Sequence, residues 1–128
     1  MPGFEFLAVE EREQDVLLVM FIGVNNLDAS AIVRFKQELW DLSRLGKHVV
    51  LILKNPMCAA VLGILLDKLI NLQKSIVQGG HELVLCEVPD NFSQLLHRNS
   101  LDKSFEICPD TAKAIEAATS PTSKPLFT

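Results

Sequence analysis

The chain has 128 residues, of which 48% are apolar and 22% are charged, and its formal net charge is −4. This length predicts one domain, and the composition excludes intrinsic disorder and a tandem array of repeats. The acidic balance, with no basic run longer than a pair, argues against nucleic acid or anionic lipid as the main partner.

Cysteine usage and the apolar runs indicate the compartment. Cys58, Cys86 and Cys108 lie in or beside apolar runs and lack the close pairing of a zinc site or a disulfide framework. The N-terminal residues lack the charged and apolar regions of a secretory signal. The apolar stretch 49–66 is interrupted by Lys54-Asn55-Pro56, which leaves pieces too short to span a membrane. We therefore expect a cytoplasmic protein with reduced cysteines and no direct membrane insertion.

The first half of the chain predicts a hairpin, a helix and a buried strand. Residues 4–9 and 15–23 read as strands joined by the charged segment 10–14, and the second strand is apolar enough to be covered on both faces. Asp28 is placed to cap a helix over 29–44, and Gly46 ends it before a buried strand at 47–53. Trp40 lies off the apolar stripe of this helix, seven residues from Val33, and is placed at the margin of the core rather than in a surface patch.

The second half continues the alternation of helices and strands. Asn55 as N-cap and Pro56 at the first helical position predict a helix from 56 to about 78, which Gly79-Gly80 ends. A strand at 81–88, a short helix at 90–97, a weak strand at 105–108 and a last helix to about 118 follow. Residues 119–128 are expected to form a flexible tail.

These elements predict an α/β fold of one domain, residues 1–118. The order ββαβαβα, followed by a short edge strand and a C-terminal helix, predicts a mixed β-sheet of about four to five strands with about four helices.

Residues that carry chemistry do not form a constellation in the sequence. His48, His81 and His97 have no paired spacing, so we interpret them as surface or strand-edge residues and expect no metal. No phosphate-binding loop is present, and Cys58, near a predicted helix start, has no identifiable base near it in sequence. The sequence therefore predicts a protein that is not an enzyme and needs no cofactor.

The predicted helix 56–78 carries an unusual exposed side. Asp67, Asn71, Lys74 and Gln78 form a polar stripe on the solvent side of its second half. Followed backwards by turns, the stripe reaches small or apolar residues, namely Gly63 or Ile64, Ala60 and Pro56. An uncharged surface of this kind typically marks a contact site. The alternative is that a loop or the C-terminal tail covers it.

Over about residues 4–118 the chain resembles the STAS domains, which include bacterial anti-sigma-factor antagonists and the cytoplasmic domains of sulfate transporters. The order and spacing of several segments carry the resemblance. They are Gly23 with Leu27-Asp28, the strand 49–53 after Gly46, Gly79-Gly80-His81-Glu82-Leu83-Val84-Leu85-Cys86, Leu95-Leu96, Ser100-Leu101-Asp102 and Phe105-Glu106-Ile107.

The resemblance implies that the second helix begins at a partner-docking surface. In the antagonists this helix starts with an Asp-Ser-Ser-Gly-like motif, one serine of which is phosphorylated to end the complex. Here either Cys58-Ala59-Ala60-Val61 or Val61-Leu62-Gly63-Ile64 takes the motif's place, so the acceptor position is occupied by Ala59 or Leu62. Between Lys47 and Lys74 there is no hydroxyl residue at all. The resemblance thus implies docking without a phosphorylation switch.

The leading hypothesis is a non-catalytic regulatory domain that binds a cytoplasmic protein, such as a kinase-type anti-sigma factor. One alternative is an accessory subunit that docks on a membrane transporter or ATPase subunit. Another is a scaffold that self-associates through the same patch, for example as a homodimer. The residues expected to contact the partner are Asn26, Asp28, Asn55, Pro56, Met57, Cys58, Ala59, Ala60 and Gly63.

Overall fold

The computed structural model describes residues 4–24, 27–54 and 57–119. Within these ranges five strands and four helices follow one another in the order ββαβαβαβα. The strands are β1 (Leu7–Arg12), β2 (Val16–Phe21), β3 (His48–Ile52), β4 (Leu83–Cys86) and β5 (Glu106–Cys108). The helices are α1 (Ala29–Ser43), α2 (Ala59–Gln78), α3 (Asp90–Arg98) and α4 (Thr111–Thr119).

The strands form one mixed sheet in the order β1-β2-β3-β4-β5. β1 is antiparallel to β2, and the other neighbours are parallel. Helices α1, α2 and α3 pack on one face, and α4 packs on the other. The predicted α/β fold with a mixed sheet is confirmed.

Strand β2 shows why the sheet is apolar on both faces. Leu17 and Val19 point into the larger core beneath α1, α2 and α3, whereas Val16 and Leu18 point into the smaller core beneath α4. Because side chains alternate along a strand, a strand between two helical layers needs apolar residues at every position. The predicted burial of this strand on both faces is therefore correct.

The bounds of β1 differ from the predicted ones. The sequence predicts a strand at 4–9, but β1 begins at Leu7 and ends at Arg12. The amides of Glu5 and Phe6 donate to the Glu38 carboxylate of α1, each at 2.8 Å, although the Phe6 carbonyl still accepts the Ile22 amide at 2.9 Å. Residues 4–6 are therefore tied to a helix, and the sheet begins only after them.

The hairpin turn is also shorter than predicted. Part of the charged segment 10–14 belongs to β1, where Arg12 pairs with Val16. As the edge strand, β1 tolerates exposed charged side chains. Lys47 contacts Glu11 at 3.2 Å and Asp15 at 3.1 Å across the turn, and its ammonium group lowers the pKa of Asp15.

Helix α2 begins three residues later than predicted. The sequence places its first residue at Pro56, but Cys58 is the N-cap and Ala59 is the first helical residue. The Cys58 amide donates to the Val24 carbonyl at 3.2 Å, which holds residue 58 in an extended conformation before the helix. Asn55, assigned as the cap, and Pro56 lie outside the described residues. The predicted end at Gln78 is correct, with Gly80 at a φ of +84° behind it.

The last two features predicted from the sequence are the state of the cysteines and the end of the domain. All three cysteines are free; Cys86 is buried, whereas Cys58 and Cys108 are partly buried. Helix α4 ends at Thr119, one residue after the predicted domain boundary. The predicted tail from 120 onwards lies outside the described residues.

Two partly buried histidines meet at the amino-terminal ends of β3 and β4. The His48 and His81 rings stack edge to face at 5.0 Å, and Nδ1 of His48 accepts the Glu82 amide at 3.0 Å. Burial, and then His81, lower the pKa of His48. The charges of Glu82 and Asp15 act in the opposite direction but do not reverse this shift.

This pair predicts a pH-dependent stability. In the unfolded chain His48 binds a proton near pH 6.5, whereas in the folded protein it binds one only at a lower pH. The free energy of unfolding therefore falls as the pH drops below about 6.5. His48→Asn keeps an acceptor for the Glu82 amide but does not titrate. Urea unfolding followed by circular dichroism between about pH 7 and pH 5 should give a flatter pH dependence for this variant. Equal slopes for both proteins would contradict the assignment.

Candidate functional site

The loops that follow β2 and β3 meet at one edge of the sheet. The two strands are parallel, so their carboxyl ends lie side by side, and helices α1 and α2 both begin there. The bond from the Cys58 amide to the Val24 carbonyl joins the two loops directly. Such an edge, at the carboxyl ends of parallel strands, is where α/β folds commonly place ligand and partner sites.

The loop after β2 contributes a capping carboxylate. Oδ1 of Asp28 accepts the Ala31 amide at 2.8 Å, which satisfies one of the free donors of the first turn of α1. The predicted capping role of Asp28 is therefore correct. Its side chain is exposed beside the partly buried Leu27, so the residue both caps α1 and borders the surface described next.

The first two turns of α2 present an uncharged exposed side. Ala59, Ala60 and Gly63 are exposed, whereas Val61 and Leu65 are fully buried in the core. No charged residue occurs in the sequence between Lys54 and Asp67. The exposed side therefore consists of small residues. We refer to it, with its neighbours, as the α2-start surface, which comprises Leu27, Asp28, Met57, Cys58, Ala59, Ala60 and Gly63.

Packing among the described residues does not require a glycine at position 63. A Cβ built at this position meets no heavy atom within 4 Å. Glycine inside a helix costs about 1 kcal/mol relative to alanine, and no neighbouring segment in the described residues requires its small size. A small residue at an open position leaves room for another backbone to approach α2 closely.

The structure brings most of the predicted contact residues together. Asp28, Met57, Cys58, Ala59, Ala60 and Gly63 lie at the same edge of the sheet. Asn26, Asn55 and Pro56 lie outside the described residues. The two candidate acceptor positions differ, because Ala59 is exposed as the first helical residue whereas Leu62 is 9% exposed and packs in the core.

The described residues of the α2-start surface include two groups that could carry chemistry, the Asp28 carboxylate and the Cys58 thiol. Cys58 makes no side-chain hydrogen bond to the helix that it precedes. Among the described residues, no group of three or more His, Cys, Asp or Glu side chains could hold a metal ion. None of the described helices is both long and apolar enough to cross a bilayer.

Trp40 is the residue that sequence reasoning misplaced. It is 53% exposed rather than packed at the core margin, and Val33, one of its neighbours on α1, is 67% exposed. The spacing of seven residues between them was the available signal, since it puts both on one side of the helix.

Comparison with known proteins finds the fold in solved structures. A STAS-domain protein from Planctomyces limnophilus, described as an anti-sigma-factor antagonist, superposes with a TM-score of 0.72 at 16% identity, covering 89% of this chain and 98% of that one. A putative anti-sigma factor antagonist from Thermotoga maritima gives 0.66 at 20% identity, covering 89% and 95%. The NMR structure of that Thermotoga protein gives 0.65 at 20% identity, covering 92% and 91%.

No family model and no curated protein matches the sequence. The similarity lies in the backbone, and in each comparison it extends over almost the full length of both chains. The chain therefore has the fold of a STAS domain, as its sequence resemblance implies.

Gly63 provides a test of the open position on α2. Gly63→Ala should raise the free energy of unfolding by about 0.5–1 kcal/mol, because alanine favours the helix and its methyl group meets no neighbour. Urea unfolding followed by circular dichroism measures this change. Gly80→Ala is the matched control and should destabilise, since φ is +84° there. A loss of stability in Gly63→Ala would show that the position is packed.

Proposed function

We propose that the protein is a non-catalytic regulatory domain that binds a cytoplasmic protein partner through the α2-start surface. The observation that carries this proposal is the exposed, uncharged side of Ala59, Ala60 and Gly63 at the edge where the β2 and β3 loops meet. Uncharged contact surfaces lose little on desolvation, and small residues let a partner approach the helix backbone.

We propose further that this docking has no phosphorylation switch. A phosphoserine at the start of a helix is stabilised by the free amides and the helix dipole, and its charge then repels or reshapes a partner. The exposure of Ala59 at the first helical position supports it as the counterpart of the acceptor, and burial of Leu62 argues against the other register. Alanine has no hydroxyl group to accept a phosphate, so the surface stays uncharged.

The partner we favour is an anti-sigma factor of the kinase type. The support is the description of the similar solved structures as an anti-sigma-factor antagonist domain and a putative antagonist. A protein of this kind would antagonise its partner constitutively. A subunit of a transporter or ATPase is the alternative partner, and genes for it beside this one, rather than a sigma factor and a serine kinase, would favour that alternative.

A charge placed on the α2-start surface should weaken the complex. Ala60→Glu leaves the helix intact, because a carboxylate is favourable in the first turn, but puts an uncompensated charge into the interface. We expect the Kd for a purified kinase-type anti-sigma factor of the same genome, measured by calorimetry, to rise at least about tenfold, which is about 1.4 kcal/mol.

Ala112→Glu is the matched control for this experiment. Ala112 is also exposed and is also the second residue of its helix, but α4 lies on the other face of the sheet. The control should bind like the natural protein. Full-strength binding by Ala60→Glu would move the docking face elsewhere, and light scattering across concentrations would reveal self-association through this surface.

The missing acceptor can be restored by one substitution. When incubated with the kinase-type partner and ATP, the natural protein should gain no phosphate within residues 47–74, whereas Ala59→Ser should gain one phosphate, detected by peptide mass spectrometry. Ala60→Ser is the control, because it adds a hydroxyl one residue further along α2 and should remain unmodified. Phosphate on the natural protein in this range would contradict constitutive docking.

A further inference from the structure

A second surface lies between α1 and α2, away from the α2-start surface. It is an open groove of about 590 Å³, whose lining runs from Val33 to Ser43 on α1 and from Lys68 to Ser75 on α2. The buried Leu39 and Leu72 form its floor. At a rise of about 1.5 Å per residue, the α1 side of the groove is about 15 Å long.

Large apolar side chains are exposed in this groove. Val33 is 67% exposed and Trp40 is 53% exposed, and both line it. The guanidinium group of Arg44 lies 5.6 Å from the centre of the Trp40 ring, so one side of the indole carries a cation. Exposed aromatic residues beside aliphatic ones are typical of the anchor region of a protein interface.

The charge of the groove is opposite to that of the whole chain. Its lining includes Lys36, Lys68 and Lys74 but no aspartate or glutamate, although the formal net charge of the chain is −4. Within the described ranges, Lys36 and Lys74 form no ion pair, and Lys68 contacts only its exposed sequence neighbour Asp67, at 3.7 Å. Lysine side chains thus stand on both helices that border the apolar floor of Leu39 and Leu72.

We propose that this groove binds an acidic amphipathic helix of a protein partner. Apolar side chains of that helix would contact Val33 and Trp40 at the rim of the groove and Leu39 and Leu72 at its floor, and its carboxylates would meet Lys36 on α1 and Lys68 and Lys74 on α2. About ten residues of helix, or three turns, match the length of the groove. Recognition of an amphipathic helix in an apolar groove is an established mode of peptide binding.

The charge pattern disfavours the other occupants. A symmetric contact with a second copy would bring two basic grooves together, because a two-fold interface uses the same patch twice and like charges repel. Residues 120–128 contain one charged residue, Lys124, which has the sign of the groove itself. They also follow α4, which packs on the opposite face of the sheet.

The groove inference does not depend on the proposed function. The first α2 residue of the groove, Lys68, is five residues beyond Gly63, the last residue of the α2-start surface, or about 7.5 Å along the helix axis. The two surfaces also differ in chemistry, since the one charged member of the α2-start surface is the acid Asp28, whereas the groove is lined by three lysines. A variant of either surface should leave the other able to bind.

Trp40 makes binding directly measurable. It is the single tryptophan of the chain, which has no tyrosine, so tryptophan emission reports on this groove alone. The probe is a synthetic peptide of about 14 residues with Leu at helical spacing on one side and Glu on both flanks. Titration into the full chain should shift the emission to shorter wavelength in a saturable way, and added salt should weaken binding.

Charge reversals test the role of the lysines. The double variant Lys36→Glu with Lys74→Glu should bind the peptide at least about tenfold more weakly. The matched control is Lys103→Glu with Lys113→Glu, which makes the same change of charge at exposed residues outside the groove. The control and Ala60→Glu should bind the peptide like the natural protein, with folding of each variant verified by circular dichroism.

Several outcomes would overturn the proposal. No saturable shift at millimolar peptide, or an equal affinity for the same peptide with Lys in place of Glu, would exclude recognition of an acidic helix. Unchanged affinity in the Lys36→Glu and Lys74→Glu double variant would do the same. A shift of Trp40 emission with protein concentration alone would assign the groove to contacts between copies of this chain. Loss of peptide binding in Ala60→Glu would place the peptide on the α2-start surface.

Discussion

The parallel pairing of β2 with β3 is the constraint on which both surfaces depend. Because β3 is in turn parallel to β4, the chain returns twice across one face of the sheet, and α1 and α2 lie side by side in the same orientation. Their first turns therefore meet at one edge, where the Cys58 amide bonds to the Val24 carbonyl. Their later turns leave the groove that contains Trp40. These two parallel pairings thus create the α2-start surface and the groove.

Helix α2 carries two kinds of surface along its length. Its buried side, which includes Leu65 and Leu69, belongs to the core throughout, so the difference lies only in what faces solvent. The first turns expose Ala59, Ala60 and Gly63, and the later turns expose polar and basic residues. Since desolvation penalises charge and spares small apolar groups, the two ends suit partners of different chemistry. The proposed docking surface and the basic groove can therefore coexist on one helix.

Predictions from the sequence were correct for elements whose pattern of apolar residues reflects which side is buried. The apolar face of α1 and the two-sided burial of β2 were predictable because a single pattern of apolar residues determines each. The ends of elements that depend on tertiary hydrogen bonds were not predictable from the sequence. Glu38 binds the amides of residues 5 and 6 from 32 or 33 residues away, and Val24 fixes the backbone of Cys58 from a distant loop. Neither contact leaves a local sign in the sequence.

The sequence by itself determined the α/β class, the order of the elements, the capping role of Asp28 and the lack of a hydroxyl group between Lys47 and Lys74, because these depend on residue type and local spacing. Only the tertiary structure decided that Ala59 is exposed while Leu62 is buried, and that Trp40 and Val33 border a basic groove. The physical reason is that exposure depends on which neighbours cover a side chain, and those neighbours come from other parts of the chain.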